Sequence, residues 1–357
     1  MVHKQKNLAF KGKVEIIGKS PYAGSGPRGI DVYTRQLSEH LSRDLPHESL
    51  IVSREATSNL PVNLVHYTFF DPFFLTLWGK IPKSSPFIVT VHDLIPLRFP
   101  EHFPSGLRGR LKYFLQKRAL RKASAIITDS IASRHDIVKY INYPESKVHV
   151  VPLAAGSISA TVALGRTIVK EYELPERYIL YVGDINWNKN IVGLINAFSS
   201  LTDNTTHLIL VGKAFASSLQ TPESTAINNA INASPKKSLI KKLGFVPTHH
   251  LSAIYRGATI YVQPSWYEGF GFPVIEALIQ GTPVLSSNQG SLPEVGGEYV
   301  HYFDPNVSSD LSDKLSSLLK NGNLRTKYRD EGIAWAKKFT WKNVAHETML
   351  VYEKYAR

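Results

Sequence analysis

A chain of 357 residues exceeds what one ordinary hydrophobic core organises and points to two domains of about 150–200 residues each. Its 43% hydrophobic and 20% charged residues exclude a disordered chain, and the lack of any cysteine excludes disulfides, thiol catalysis and thiolate metal sites. The formal net charge of +13 is concentrated, with +10 in residues 1–150 and +3 in the rest, so the first half is expected to face nucleic acid, a phosphorylated ligand or lipid head groups.

The opening MVHKQKNLAFKGK has charges but no apolar core long enough for a signal peptide. No run of about 18 uncharged apolar residues occurs anywhere, so a cytoplasmic protein without a membrane span is expected. Short β-branched runs then alternate with helical patterns. In the first half, strands are expected at Val14–Ile17, Leu50–Ser53, Asn63–His66, Phe87–Val91, Ala125–Thr128 and Val148–Val151, with helices at Ile30–Arg43, Leu107–Lys122 and Ile131–Ile141. PLAAGSISATVALG, Pro152–Gly165, is small and poorly periodic and is expected to be the interdomain linker. The second half repeats the rhythm with strands at Tyr178–Val182, Leu208–Val211, Ile260–Gln263, Val284–Ser287 and Val300–Phe303. Strands separated by helix-length segments imply right-handed βαβ units and parallel sheets, and wholly apolar runs such as YILYV suit sheets covered on both faces. Two doubly wound domains would set the C-terminal ends of both sheets around one cleft.

Residues Tyr261–Pro305 carry the most information. A strand leads through Ser265–Phe272 into a helix with Pro273 in its first turn; a second strand leads through Asn288–Leu292 into a helix with Pro293. Two helix N-termini after glycine-bearing loops favour phosphate or another anion. Glu268 and Glu276, eight residues apart, would repel a phosphate and suit the hydroxyls of a ribose or a hexose. The plain alternative makes Glu268 a surface loop charge and Glu276 a favourable first-turn helix charge.

EGFGFPVIEAL, followed by GTPVLSS and GSLPEVGG, resembles the retaining glycosyltransferases of family 4, which have the GT-B fold of two facing Rossmann-like domains. PRGIDVYTRQL, VHDLIPLRFPEHF, YVGDINWNKNI, LVGK, LGFV and FTWKNVAHETMLVYEKY fall in that family's order. The resemblance implies an N-terminal domain over 1–160 completed by a helix over 341–357, and a nucleotide-sugar domain over 166–340. It implies that Glu276 binds the donor ribose and Glu268 lies near the transferred sugar. The backbone of Gly269, Phe270 and Gly271 would line the sugar and phosphates, with Gly290, Ser291 and Leu292 beside the diphosphate and Val246 meeting the nucleobase. His92 would sit beside the donor hexose, Gly29 would belong to a loop closing over donor and acceptor, and Lys189 would neutralise the leaving diphosphate. Fixed ammonium and amide groups can stabilise that charge without a metal, so no cofactor and no obligatory metal ion are expected. The partners implied are a nucleotide sugar and a glycan or lipid-linked acceptor; the form HDLIPLRFPEHF resembles members that use GDP-mannose in polysaccharide assembly.

The family commonly has an arginine where this chain has Asp184 or Asn188, so the phosphate clamp lacks a bidentate cation. Lys213 or Arg28 compensates, or donor affinity is low, and an inactive relative is the extreme case. Two other classes compete. Gly24-x-Gly26-x-x-Gly29 invites a dinucleotide-binding dehydrogenase, but Gly18–Ala23 separate it from the strand, Pro27 interrupts the turn and Glu55 comes late. A nucleic-acid binder would explain the charge, yet zinc spacing, RNA-binding aromatic motifs and a dense basic tail are all lacking, so no nucleic-acid partner is expected. Within residues 107–122, LRGRLKYFLQKRALRK sets Leu107, Leu111, Phe114 and Leu115 on one stripe, with Arg108, Lys112, Arg121 and Lys122 largely on other faces. Such a helix either lies on an anionic membrane or packs its stripe on the sheet and leaves its charges solvated.

Overall fold

The computed structural model describes residues 12–18, 29–46, 49–53, 61–156, 162–218 and 220–357. The chain divides into two units, Met1–Leu153 with Thr340–Arg357, and Ala154–Phe339. Each is built on one parallel sheet, with described helices between most of its successive strands.

In the first unit the described strands are β1 (Val14–Ile17), β2 (Leu50–Ser53), β3 (Leu64–Tyr67), β4 (Phe87–Thr90), β5 (Ala125–Thr128) and β6 (Val148–Val150), in the order β2-β1-β3-β4-β5-β6. Strands β1, β3, β4 and β5 are buried along their whole length, which is why they are mostly apolar, with Glu15 and His66 as buried polar exceptions. The C-terminal helix Trp341–Tyr355, capped by the Thr340 side chain, packs on the Gly29–Asp44 helix of this unit. Trp341, Val344, Met349 and Tyr352 are buried, while Leu350 is exposed. Tyr352 Oη lies 2.6 Å from His66 Nδ1, so the last helix is tied to β3 by a buried polar bond.

The second unit contains β7 (Tyr178–Val182), β8 (His207–Val211), β9 (Ile240–Gly244), β10 (Ile260–Gln263), β11 (Val284–Ser287) and β12 (His301–Phe303), ordered β12-β11-β10-β7-β8-β9. The chain reverses direction across the sheet between β7 and β10, the position at which doubly wound sheets bind ligands beyond their strand ends.

Most strands begin and end within a residue of expectation; four elements differ. β9 is an edge strand whose lysines, Lys241 and Lys242, hide it from an apolar pattern. The expected linker 152–165 is already helical from Val162, in the helix Val162–Glu171. The expected helix over 131–141 is α-helical only over Ile131–Asp136 and continues in wider π-type turns through Ile141, before Asn142 at φ +56°. In the helix Gly106–Leu120 the buried residues are Gly109, Gln116, Ala119 and Leu120. Leu107, Leu111 and Phe114 face solvent, so packing of that stripe on the sheet is ruled out.

Candidate functional site

Strands β7 and β10 are adjacent, and the loops leaving them bring Lys189 and Glu268 together. Lys189 closes a short turn, Trp187–Lys189, and its Nζ donates to both carboxylate oxygens of Glu268, at 2.8 and 2.9 Å. Glu268 Oε1 also accepts from Gln263 Nε2 at 2.9 Å and from Ser265 Oγ at 2.6 Å. Only 6% of Glu268 is exposed, which overturns the surface-charge alternative. A carboxylate held this far from water needs its cation and donors: Gln263 and Ser265 come from the end of β10, and Lys189 from the turn in the loop after β7.

The two loops are locked through their backbones. Asn188 Nδ2 donates to the Tyr267 carbonyl and its own carbonyl accepts from Trp266 N, while Asn190 Nδ2 reaches the Pro264 carbonyl. Trp187 and Trp266 stack at 6.4 Å with planes 16° apart. The turn after β11 closes on the same loop. Gly290 has φ +62°, and a β-carbon there would lie 2.6 Å from the Glu268 carbonyl oxygen. Ser291 Oγ lies 3.0 and 2.7 Å from the carbonyl oxygens of Glu268 and Phe270, and Leu292 is fully buried. The amides of Ser291 and Leu292 already point to the carbonyls of Glu268 and Gln289, at 3.2 and 3.3 Å. Gly269 and Phe270 lie buried in the loop, and Gly271, at φ +110°, precedes the helix Phe272–Ile279; a β-carbon on it would press on Leu292 at 2.9 Å.

Glu276 projects from that helix, half-buried, and accepts from Tyr255 Oη at 2.9 Å. Burial pushes its carboxyl above the usual range, and the tyrosine bond pulls the other way. Val246 is buried two residues beyond β9, whereas its neighbour Phe245 is exposed. Asp184 is exposed, and its carboxylate accepts from the Ile185 amide; Lys213 is exposed at the start of the turn after β8. The loop carrying Arg28, Gly24 and Gly26 lies outside the described residues, as does Glu55; Gly29 is the first residue of the helix Gly29–Asp44.

In the first unit, His92 lies just beyond β4, and its Nδ1 is 2.7 Å from Asp129 Oδ2, one residue beyond the neighbouring β5. The edge of the His92 ring meets Tyr33 at 4.9 Å, and Ser133 Oγ holds the His92 carbonyl. Burial alone would lower the His92 pKa; the Asp129 charge and hydrogen bond, with weaker pulls from the Asp93 charge and the Thr68 backbone, outweigh it and raise it. Burial pushes the Asp129 carboxyl up against the opposing pull of His92. His92 Nε2 and Asp129 Oδ1 are buried with no hydrogen-bond partner of good geometry among the described residues. An imidazole so oriented has one nitrogen committed and one available to a ligand.

Asp129, Tyr33, Tyr255, Gln263, Ser265 and the tryptophan pair escaped the sequence reading. One signal was present: Asp129 follows the apolar strand AIIT just as His92 follows FIVT. Among the described residues, no cluster of three or more His, Cys, Asp or Glu side chains could hold a metal ion, and no helix is long and apolar enough to cross a membrane.

Each unit is thus a doubly wound, Rossmann-like domain, and a half-buried lysine paired with a buried glutamate lies at the switch point of the second. Residues 167–335 match the family described as glycosyl transferases group 1, and residues 54–154 match glycosyltransferase family 4. The chain is 32% identical over 274 residues to O-antigen chain mannosyltransferase B of Escherichia coli, covering 74% of this chain and 70% of that protein. It is 26% identical over 338 residues to the serotype-specific mannosyltransferase WbdA of Escherichia coli, covering 92% of this chain but spanning only 40% of that protein. In fold it is similar to sucrose-phosphate synthase from Thermosynechococcus elongatus, with TM-score 0.76, 18% identity and coverage of 96% and 98% of the two chains. The chain belongs to glycosyltransferase family 4. That membership replaces the dehydrogenase and nucleic-acid readings.

Proposed function

We propose that this protein is a retaining glycosyltransferase that moves mannose from GDP-mannose onto a glycan or lipid-linked acceptor, with no obligatory metal ion. The observation that carries the reading is the pairing of the half-buried Lys189 with the buried Glu268 at the switch point of the second sheet. When the bond between the anomeric carbon and the diphosphate breaks, the electron pair leaves with the diphosphate and negative charge grows on its oxygens, one of which takes the acceptor hydroxyl's proton as that hydroxyl oxygen bonds to the anomeric carbon on the same face. The Lys189 ammonium meets that charge and releases Glu268, whose oxygens then accept from hydroxyls of the sugar. Glu276, oriented by Tyr255, accepts from the ribose diol. His92, oriented by the Asp129 carboxylate at Nδ1, meets a hydroxyl of the hexose through Nε2. The backbone of Gly269–Gly271 and Gly290–Leu292 shapes the sugar and diphosphate subsite, Val246 meets the base through its backbone, and Gly29, at the start of its helix, contacts the donor. The names of the two bacterial relatives support mannose.

A thermal-shift and transfer screen across GDP-mannose, UDP-glucose, UDP-galactose and UDP-N-acetylglucosamine, with and without chelator, tests this. GDP-mannose should give the largest stabilisation, since a ligand that binds only the native state raises the melting temperature by mass action. Proton NMR of the product should show the α-configuration of the donor; a β-linkage would refute retention. An inactive relative is the second reading, favoured by Asn188, which is committed to the Tyr267 carbonyl, and by the exposed carboxylate of Asp184. Donor binding without transfer or hydrolysis would select it.

A further inference from the structure

The second unit carries a basic cavity at the end of its sheet opposite Lys189 and Glu268. The cavity, of about 470 Å³, is lined by Thr259 and Pro283, which enter β10 and β11, and by three arginines, Arg256, Arg325 and Arg329. Arg256 comes from the last turn of the helix Thr248–Gly257. Arg325 and Arg329 stand four residues apart on the helix Gly322–Ala336, so they share one face of it. Among the described residues, no acidic side chain lines the cavity. The arginines are held by their surroundings. Arg256 Nη2 donates to Oε1 of the buried Gln280 at 2.9 Å. Arg325, half-buried, gives Nη1 to the carbonyls of Leu318 and Leu319. Arg329 lies across Gly281, where a β-carbon would meet its Cγ at 3.2 Å.

Neutral carbonyls orient the Arg325 guanidinium without cancelling its charge. Burial and the nearby charge of Arg177 both lower its pKa, so this cation is already disfavoured where it stands. Arg329 Nε is 3.2 Å from Asp330 Oδ1, but that pair is exposed and contributes little. Like charges one helical turn apart repel, and an anion set between them turns the cost into attraction. Guanidinium forks match the oxygens of a phosphate two at a time. Three of them exceed what a single carboxylate neutralises, and the volume is in the range of small-molecule sites rather than that of a lone ion. We propose that this cavity is a second anion site, which binds a small ligand bearing a diphosphate at the opposite end of the sheet from the Lys189–Glu268 pair. The site stands apart from the transfer reading and is measurable without donor or acceptor.

The test is calorimetric titration of the full chain with inorganic diphosphate at constant ionic strength. Lys189→Met removes the cation of the transfer site, so binding that survives in this variant reports on the cavity. It should survive, with one diphosphate per chain. Adding Arg256→Gln and Arg329→Gln should weaken it by at least about tenfold, and adding Arg329→Gln alone should weaken it by a smaller factor. Arg325 is left in place because it closes the end of the helix Asp310–Lys320. Both replaced side chains are exposed, so the melting temperature of Lys189→Met should not change further. Loss of all diphosphate binding in Lys189→Met overturns the proposal, as does undiminished binding in the triple variant. So does binding to duplex oligonucleotide or to phosphatidylglycerol vesicles that is tighter than binding to diphosphate and is lost with the same arginines.

Discussion

Replacing Lys189 with methionine keeps much of the side-chain volume and removes the cation that faces Glu268. The Glu268 carboxylate stays 8% exposed in its side chain, and Gln263 and Ser265 still donate to Oε1, but Oε2 loses its donor. Stranding one member of a buried ion pair costs about 3–5 kcal/mol. The two surviving hydrogen bonds put the expected loss nearer ~2–3 kcal/mol. For a domain of this size each kcal/mol moves the melting point by about 2–4 °C, so Lys189→Met should lower it by about 5–10 °C. Glu268→Gln added to Lys189→Met removes the stranded charge and should recover more than half of that loss. Thermal melts of the wild type, both single variants and the double variant form a cycle whose coupling term isolates the pair. If Lys189→Met melts within about 2 °C of the wild type, or if Glu268→Gln deepens its loss, the pair is not the buried, mutually dependent unit described above.

Glu276→Ala should weaken nucleotide binding with little change in turnover, while His92→Ala should slow transfer and leave donor affinity near the wild-type value; titration calorimetry and steady-state kinetics separate the two. Asp129→Asn removes the largest attraction that raises the His92 pKa and leaves burial opposed only by Asp93 and the Thr68 backbone, so the activity lost as His92 deprotonates should be lost at lower pH. His66 gives a stability prediction: burial, helped by the His92 charge, lowers its pKa to about 3. The unfolded chain binds that proton from about pH 6.5 downward and the native state does not, so stability falls as pH drops through this window, by up to ~1.4 kcal/mol per unit. Urea melts from pH 7 to pH 5 should show a shallower loss in His66→Gln, and identical slopes would refute the assignment.

The two sheets were legible because fully buried parallel strands carry a signal that surface chemistry does not blur: YILYV and HLILV have no competing pattern. β9 was missed for the converse reason, since an edge strand with two lysines satisfies its environment without apolar alternation. The candidate site divides along the same line. Glu268, Glu276 and Lys189 could be named because each lies in a motif whose spacing is local. Their partners could not, because Tyr255 reaches Glu276 from another helix and Asp129 reaches His92 across two strand ends. Asn188 shows how a local reading misleads. Beside Lys189 it reads as an absent phosphate ligand, yet the fold buries it and spends its amide on the Tyr267 carbonyl. An arginine there would have to leave that buried position, so the asparagine belongs to the device that holds the Glu268 loop in place. Leu107, Leu111 and Phe114 give the complementary case: their period announced an apolar stripe, and only the position of Gln116 on the opposite face shows which side of the helix the protein covers. Periodicity fixes which residues share a face, whereas the partner of that face is set by contacts as distant in sequence as residues 77 and 116.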